Sequence, residues 1–154
     1  MILRALAVLA LVLSPLGARA AEPTPHGART GVGLILGEPT GLTLKRGLGG
    51  PLAFDAAVGW SFRGGGALDV HADVLLHPVQ LLQEGQGRAV AYVGLGPRVV
   101  ARDDVAFAAR IPLGLTALFD RSALELFVEL VPELVLYPES DLILEGGIGL
   151  RIYF

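Results

Sequence analysis

From Gly31 onward the chain is built of segments in which apolar residues recur at every second position. In LAFDAAVGWSF, Leu52, Phe54, Ala56, Val58, Trp60 and Phe62 alternate with Ala53, Asp55, Ala57, Gly59 and Ser61, so one face is apolar and the other small or charged. Side chains of an extended chain point alternately to opposite sides, and this period of two predicts a β-strand. LDVHADVLLH repeats the rule, with Leu68, Val70, Ala72, Val74 and Leu76 set against Asp69, His71, Asp73 and His77. The same parity test predicts eight strands, near 31–37, 40–46, 52–62, 68–77, 88–98, 106–118, 123–137 and 141–153.

The separators carry turn chemistry: GEP at 37–39, RGLGGP at 46–51, RGGGA at 63–67, FDRS at 119–122 and PES at 138–140. Only PVQLLQEGQG, 78–87, is longer, with room for one helical turn. None is long enough for the crossover that parallel strands require, so the strands are expected to be antiparallel and joined by hairpins. In ALELFVELVPELVLY the spacing of Glu125, Glu129 and Glu133 also suits a helix, but Pro132 disfavours a helix interior and like charges four apart would weaken one. Strand is the better reading. Pro97, Pro112 and Pro132 cannot donate to a ladder, and bulges or strand ends are expected there.

Eight such strands predict an all-β, antiparallel up-and-down barrel, with either the apolar or the polar face outward. The second face decides. It holds Gly33, Gly59, Gly94, Gly96, Gly114, Gly147 and Gly149 among Ala53, Ala57 and Ala108, a mixture that suits a crowded interior better than a solvated surface. Its charges have both signs: Lys45, Arg98, Arg110 and Arg151 against Asp55, Asp69, Asp73, Glu125, Glu129, Glu133 and Glu145, with His71 on the same face. They are read as a network within the lumen. The excess of acids calls for water, histidine or retained protons. The apolar face then meets lipid, and strands of about ten residues have the length needed to cross a bilayer at a tilt. Trp60, Phe62 and Tyr137 at one rim, and Phe119 and Phe154 at the other, fall where interfacial aromatics belong. The expectation is a transmembrane barrel; the alternative is an exported soluble barrel that binds an apolar small molecule.

Composition agrees with export. MILR followed by ALAVLALVL is a basic start and a short apolar run, and Ala18 and Ala20 fit a small-residue cleavage site, so residues 1–20 read as a signal peptide. Residues 21–30 form a polar lead-in and 31–154 the barrel domain. Losing Arg4 and Arg19 takes Lys+Arg from 12 to 10 against 15 acids, moving the net charge from -3 to -5. That balance excludes nucleic acid as a partner. The chain contains no cysteine, hence neither disulfides nor a lipid-modified cysteine.

GLILGEPTGLTLK, DAAVGWSF, LDVHADVLLH, IPLGLTALF, VELVPELVL and the tail GGIGLRIYF together resemble a family of small outer-membrane β-barrel proteins of unassigned function, with a barrel of the OmpA/OmpX type. The resemblance spans 31–154. It implies the outer membrane of a Gram-negative-type cell, lipid as the surroundings, and recognition of the terminal Phe154 by the barrel-assembly machinery. It supplies no catalytic residues and leaves the oligomeric state open.

No enzyme chemistry is expected. His71, Asp73 and His77 share a face, but His77 lies about 13 Å from Asp73 along an extended strand, too far for one ion. Ser61, Ser122 and Ser140 are the serines after the leader; two sit in turns, and Ser61, which shares a face with Asp55, could meet a histidine only in His71 across the neighbouring strand, so a hydrolase is not expected. GVGLILG lacks the βαβ context of a dinucleotide site. Neither a metal nor a cofactor is expected.

Overall fold

The computed structural model describes residues 29–119 and 121–154. The leader and most of the polar lead-in lie outside the described residues.

Among the described residues nine strands follow one another: β1 (Thr30–Gly37), β2 (Thr40–Gly49), β3 (Leu52–Ser61), β4 (Ala67–Glu84), β5 (Gly87–Ala101), β6 (Val105–Arg110), β7 (Leu113–Phe119), β8 (Leu124–Tyr137) and β9 (Asp141–Tyr153). A single 3-10 turn at Arg63–Gly65 interrupts the β3–β4 connection. Every pairing is antiparallel, and β9 pairs with β1 as well as with β8, so the sheet has a ring-like arrangement. The ring-like pairing leaves few unpaired edges, and no disulfide contributes to holding it, since the chain has no cysteine.

The stretch expected as one strand over 106–118 is two, β6 and β7, separated at Ile111 and Pro112. Both halves pair with β5 on one side and β8 on the other, and the register continues across the break: Gly96 faces Arg110 and Val93 faces Leu113, while Arg110 faces Glu133 and Leu113 faces Leu130; the one shift of β6 against β8 lies away from the break, between Phe107 and Ala108. The interruption is local, and the ring has eight strand positions. Pro112 lacks a donor toward β5, where its carbonyl accepts from Gly94 N at 2.8 Å. Pro132 lacks one toward the gap, where its carbonyl accepts from Ile111 N at 3.0 Å. Two missing donors in one place open the ladder there. Within their own strands Pro97 and Pro132 mark neither a bulge nor an end, contrary to expectation: Pro97 stays in register with Ala109, and Pro132 with Leu144.

The segment 78–87 is neither loop nor helical turn. β4 continues through it to Glu84 and turns back at Gly85, whose φ of 57° suits glycine. Register shifts between Leu76 and Val79 and between Gln80 and Leu82 scramble the parity, which is why no alternation shows in PVQLLQE.

Crossing the sheet strand by strand from Arg98 leads through His71, Ala57, Thr43, Gly33, Arg151, Glu125 and Leu118 to Arg88. One circuit thus returns to β5 ten residues from its start.

Candidate functional site: the buried charge network

All twelve residues read as a lumen network are buried: Lys45, Asp55, Asp69, His71, Asp73, Arg98, Arg110, Glu125, Glu129, Glu133, Glu145 and Arg151. They occupy the face opposite the large aliphatics because strand parity puts them there. Three groups can be distinguished within the ring.

The first centres on Arg151. Its Nη2 donates to Asp55 Oδ2 at 2.6 Å and to Thr43 Oγ1 at 2.8 Å, its Nη1 to Glu125 Oε1 at 2.9 Å, and its guanidinium lies 3.9 Å from the Phe127 ring centroid. Lys45 Nζ donates to the same Glu125 oxygen at 3.1 Å, and the Tyr153 hydroxyl donates to Glu125 Oε2. Two cations meet two carboxylates, and this group is balanced.

The second centres on Arg110. It donates to Glu129 Oε1 at 3.3 Å, while its Nε is 3.6 Å from Asp73 Oδ2 without hydrogen-bond geometry. The Tyr92 hydroxyl donates to Glu129 Oε2 at 2.9 Å. Arg110 Nε also stands 3.8 Å from Glu133 Oε1, an acid shared with the third group, so one cation here faces two carboxylates of its own and part of a third.

The third centres on Arg98, which donates to Asp69 Oδ2 and to Glu133 Oε2, each at 2.5 Å, and approaches Glu145 Oε2 at 2.7 Å. His71 Nδ1 lies 3.3 Å from Asp69 Oδ1. Arg63, half-exposed in the β3–β4 loop, covers this end: it donates to the Leu144 carbonyl at 3.1 Å and stands 3.2 Å from Glu145 Oε1. Arg102 bonds the carbonyls of Arg63 and Gly66, and the Phe62 amide donates to Glu38. The connections β1–β2, β3–β4 and β5–β6 and the start of β9 are thereby tied into one cover. The acid excess lies in the second and third groups, toward that cover.

Thr43, Tyr92 and Tyr153 also belong to the network. Their parity was legible, but a search for charges alone passes over the neutral donors that satisfy surplus carboxylate oxygens. Each large inward ring lies over a glycine directly across the ladder: Tyr153 over Gly31, Tyr92 over Gly114 and Phe127 over Gly149. A Cβ at Gly31 would stand 2.8 Å from the Tyr153 ring. This is the alternation of small and large that fills a narrow interior.

His77 bonds the Pro51 carbonyl at 3.2 Å and does not join His71. Among the described residues, no group of three His, Asp or Glu side chains is placed to hold a metal.

The outer surface is the converse. Among the described residues, thirty-six large apolar or aromatic side chains are exposed, whereas sixteen of the buried residues are polar or charged and only twelve hydrophobic, three of these twelve being interior aromatics. Trp60, Phe62, Phe119, Tyr137 and Phe154 are all exposed. Trp60, Phe62 and Tyr137 lie toward the covered end, and Phe119 and Phe154 toward the other.

Comparisons with protein-family models, curated proteins and solved structures find no match. The resemblance carried by the sequence motifs gains no support from them, and the reading of function rests on the physical chemistry of the ring.

Proposed function

We propose that the chain is a small transmembrane β-barrel of the outer membrane of a Gram-negative-type cell, with a side-chain-filled lumen and a structural or interaction role rather than a catalytic one. The observation that carries this reading is the inversion of polarity: the charges are inside and the large aliphatics outside. A water-soluble ring would leave that apolar surface hydrated, and contiguous exposed apolar area beyond a few hundred Å² marks a contact with lipid or protein. The soluble alternative needs an apolar cavity, whereas most buried side chains here are polar.

The register adds a dimension. Ten residues of offset over eight strands set a tilt of about 40°, and roughly 8 Å from axis to backbone, from strand rise and spacing. Such a barrel is just wide enough for side chains to fill. Along β9 the outward residues Leu142, Leu144, Ile148, Leu150, Ile152 and Phe154 span about 30 Å of axis at that tilt, the thickness of a bilayer's hydrocarbon. On the outward face of the strand bodies, Arg46 is the charge, and it lies near the rim.

Cell fractionation tests the reading. The protein should remain with the outer membrane after salt and carbonate washes and migrate faster unheated than boiled. Full recovery in the soluble periplasmic fraction would sink it.

A further inference from the structure

The outward wall over β1–β4 is not uniform. Val32, Leu44, Ala56 and Ala72 form one row across four strands, and Leu34, Leu42, Val58 and Val70 the next. Ala56 and Ala72 are short, so the row dips between its larger neighbours. The result is an open hollow of about 710 Å³ lined almost wholly by apolar atoms, to which Gly33, Thr43, Ala57 and His71 also contribute. The His71 side chain is turned inward, so its share of the hollow is backbone.

Arg46 belongs to the row immediately below. It pairs with Thr30 on one side and Phe54 on the other, and Thr30 in turn exchanges backbone hydrogen bonds with Phe154, so Arg46 shares a row with the aromatic end of the chain. Its Nη1 donates to Thr30 Oγ1 at 3.0 Å, which fixes the guanidinium at the rim. Among the described residues no carboxylate pairs with it, while every other arginine within the strands has buried acidic partners or faces inward. A charge on a lipid-facing wall is costly unless its head reaches the interface and meets an anion there.

We infer that this wall holds one phospholipid, an acyl chain in the Ala56–Ala72 hollow and the phosphate on Arg46. The inference rests on the transmembrane reading. Two residues of strand rise separate Arg46 from Leu44, about 7 Å, so headgroup and chain seat are contiguous. A guanidinium offers a planar pair of donors matched to phosphate oxygens, and with one nitrogen committed to Thr30 the others remain for the ligand. An anionic headgroup adds attraction that a zwitterionic one offsets with its own cation, so phosphatidylglycerol should be preferred to phosphatidylcholine. A second copy of this chain is the less suitable occupant, since Arg46 would meet another Arg46 across a two-fold axis unless the contact were heterologous.

The test uses the full mature chain refolded into vesicles of equal parts phosphatidylglycerol and phosphatidylcholine, then released into the gas phase for native mass spectrometry. The parent should retain one phosphatidylglycerol. Arg46→Gln and Ala72→Leu, which removes the cation or fills the hollow, should each lower retention about tenfold, as loss of a charge-assisted hydrogen bond or of the chain seat implies, and the double variant little further. Equal retention by parent and both variants overturns the site, as does loss in Arg46→Gln with Ala72→Leu unchanged, or release of the parent as a lipid-free dimer. If the parent fails to insert and stays in the aqueous phase, the transmembrane reading itself has failed.

Discussion

Replacing Arg151 by leucine removes the centre of the balanced group. The buried guanidinium contacts Asp55 at 2.6 Å, Glu125 at 2.9 Å and Thr43 at 2.8 Å. Glu125 would keep Lys45 and the Tyr153 hydroxyl, but Asp55 would keep only the Thr43 hydroxyl at 3.3 Å. Asp55 is therefore the stranded charge, and breaking a buried pair in this way costs about 3–5 kcal/mol. With a urea dependence of about 2 kcal/mol per molar, the unfolding midpoint of protein refolded in detergent should fall by about 2 M. Adding Asp55→Asn to Arg151→Leu should recover more of that loss than adding Glu125→Gln, because the second carboxylate still has its own donors. Leu126→Val, on the exposed outward face, where on the proposed reading detergent fills the missing volume, should cost less than about 1 kcal/mol. If Arg151→Leu unfolds like the parent while Leu126→Val is damaging, the polar face is the solvated one and the ring has been read inside out.

Three further outcomes are expected. Gly114→Val places side-chain atoms where the Tyr92 ring lies, so it should lower the unfolding free energy by about 2 kcal/mol or more, and adding Tyr92→Ala should restore part of it; independence of the two would contradict the small-over-large packing. Arg63→Ala removes a half-exposed latch, so stability should change by less than about 1 kcal/mol, while hydrogen exchange at the amides of 142–146 should quicken. On the proposed transmembrane reading, the parent in planar bilayers should show no conductance steps of porin size, because the buried ion-pair groups would occupy the interior; large regular openings would contradict a plugged interior.

Strand existence and the sorting of residues onto two faces were legible because a period of two is written into each segment, as in LDVHADVLLH. Where parity holds, the sequence reading and the structure coincide residue by residue, from Lys45 to Arg151. Where it is scrambled, as after Leu76, bulges shift the faces without leaving a local mark, and the extension of β4 to Glu84 has no signal in the sequence. The break between β6 and β7 was hidden for the opposite reason: inward parity runs unchanged from Ala108 through Arg110 to Gly114, and only the placement of Pro132 against Ile111 shows why the ladder opens there. The grouping of charges around Arg151, Arg110 and Arg98 depends on register between strands distant in sequence, and Arg63 joins them through loop geometry. Neither is encoded in a short motif.

The side of the ring that meets lipid is the central claim, and the chain's single tryptophan reports on it directly. Trp60 is on the outward face of β3. With the protein refolded into vesicles whose lipids carry brominated acyl chains, Trp60 fluorescence should be blue-shifted and strongly quenched relative to vesicles without bromine. Emission that is red-shifted and identical in the two kinds of vesicle would contradict the account.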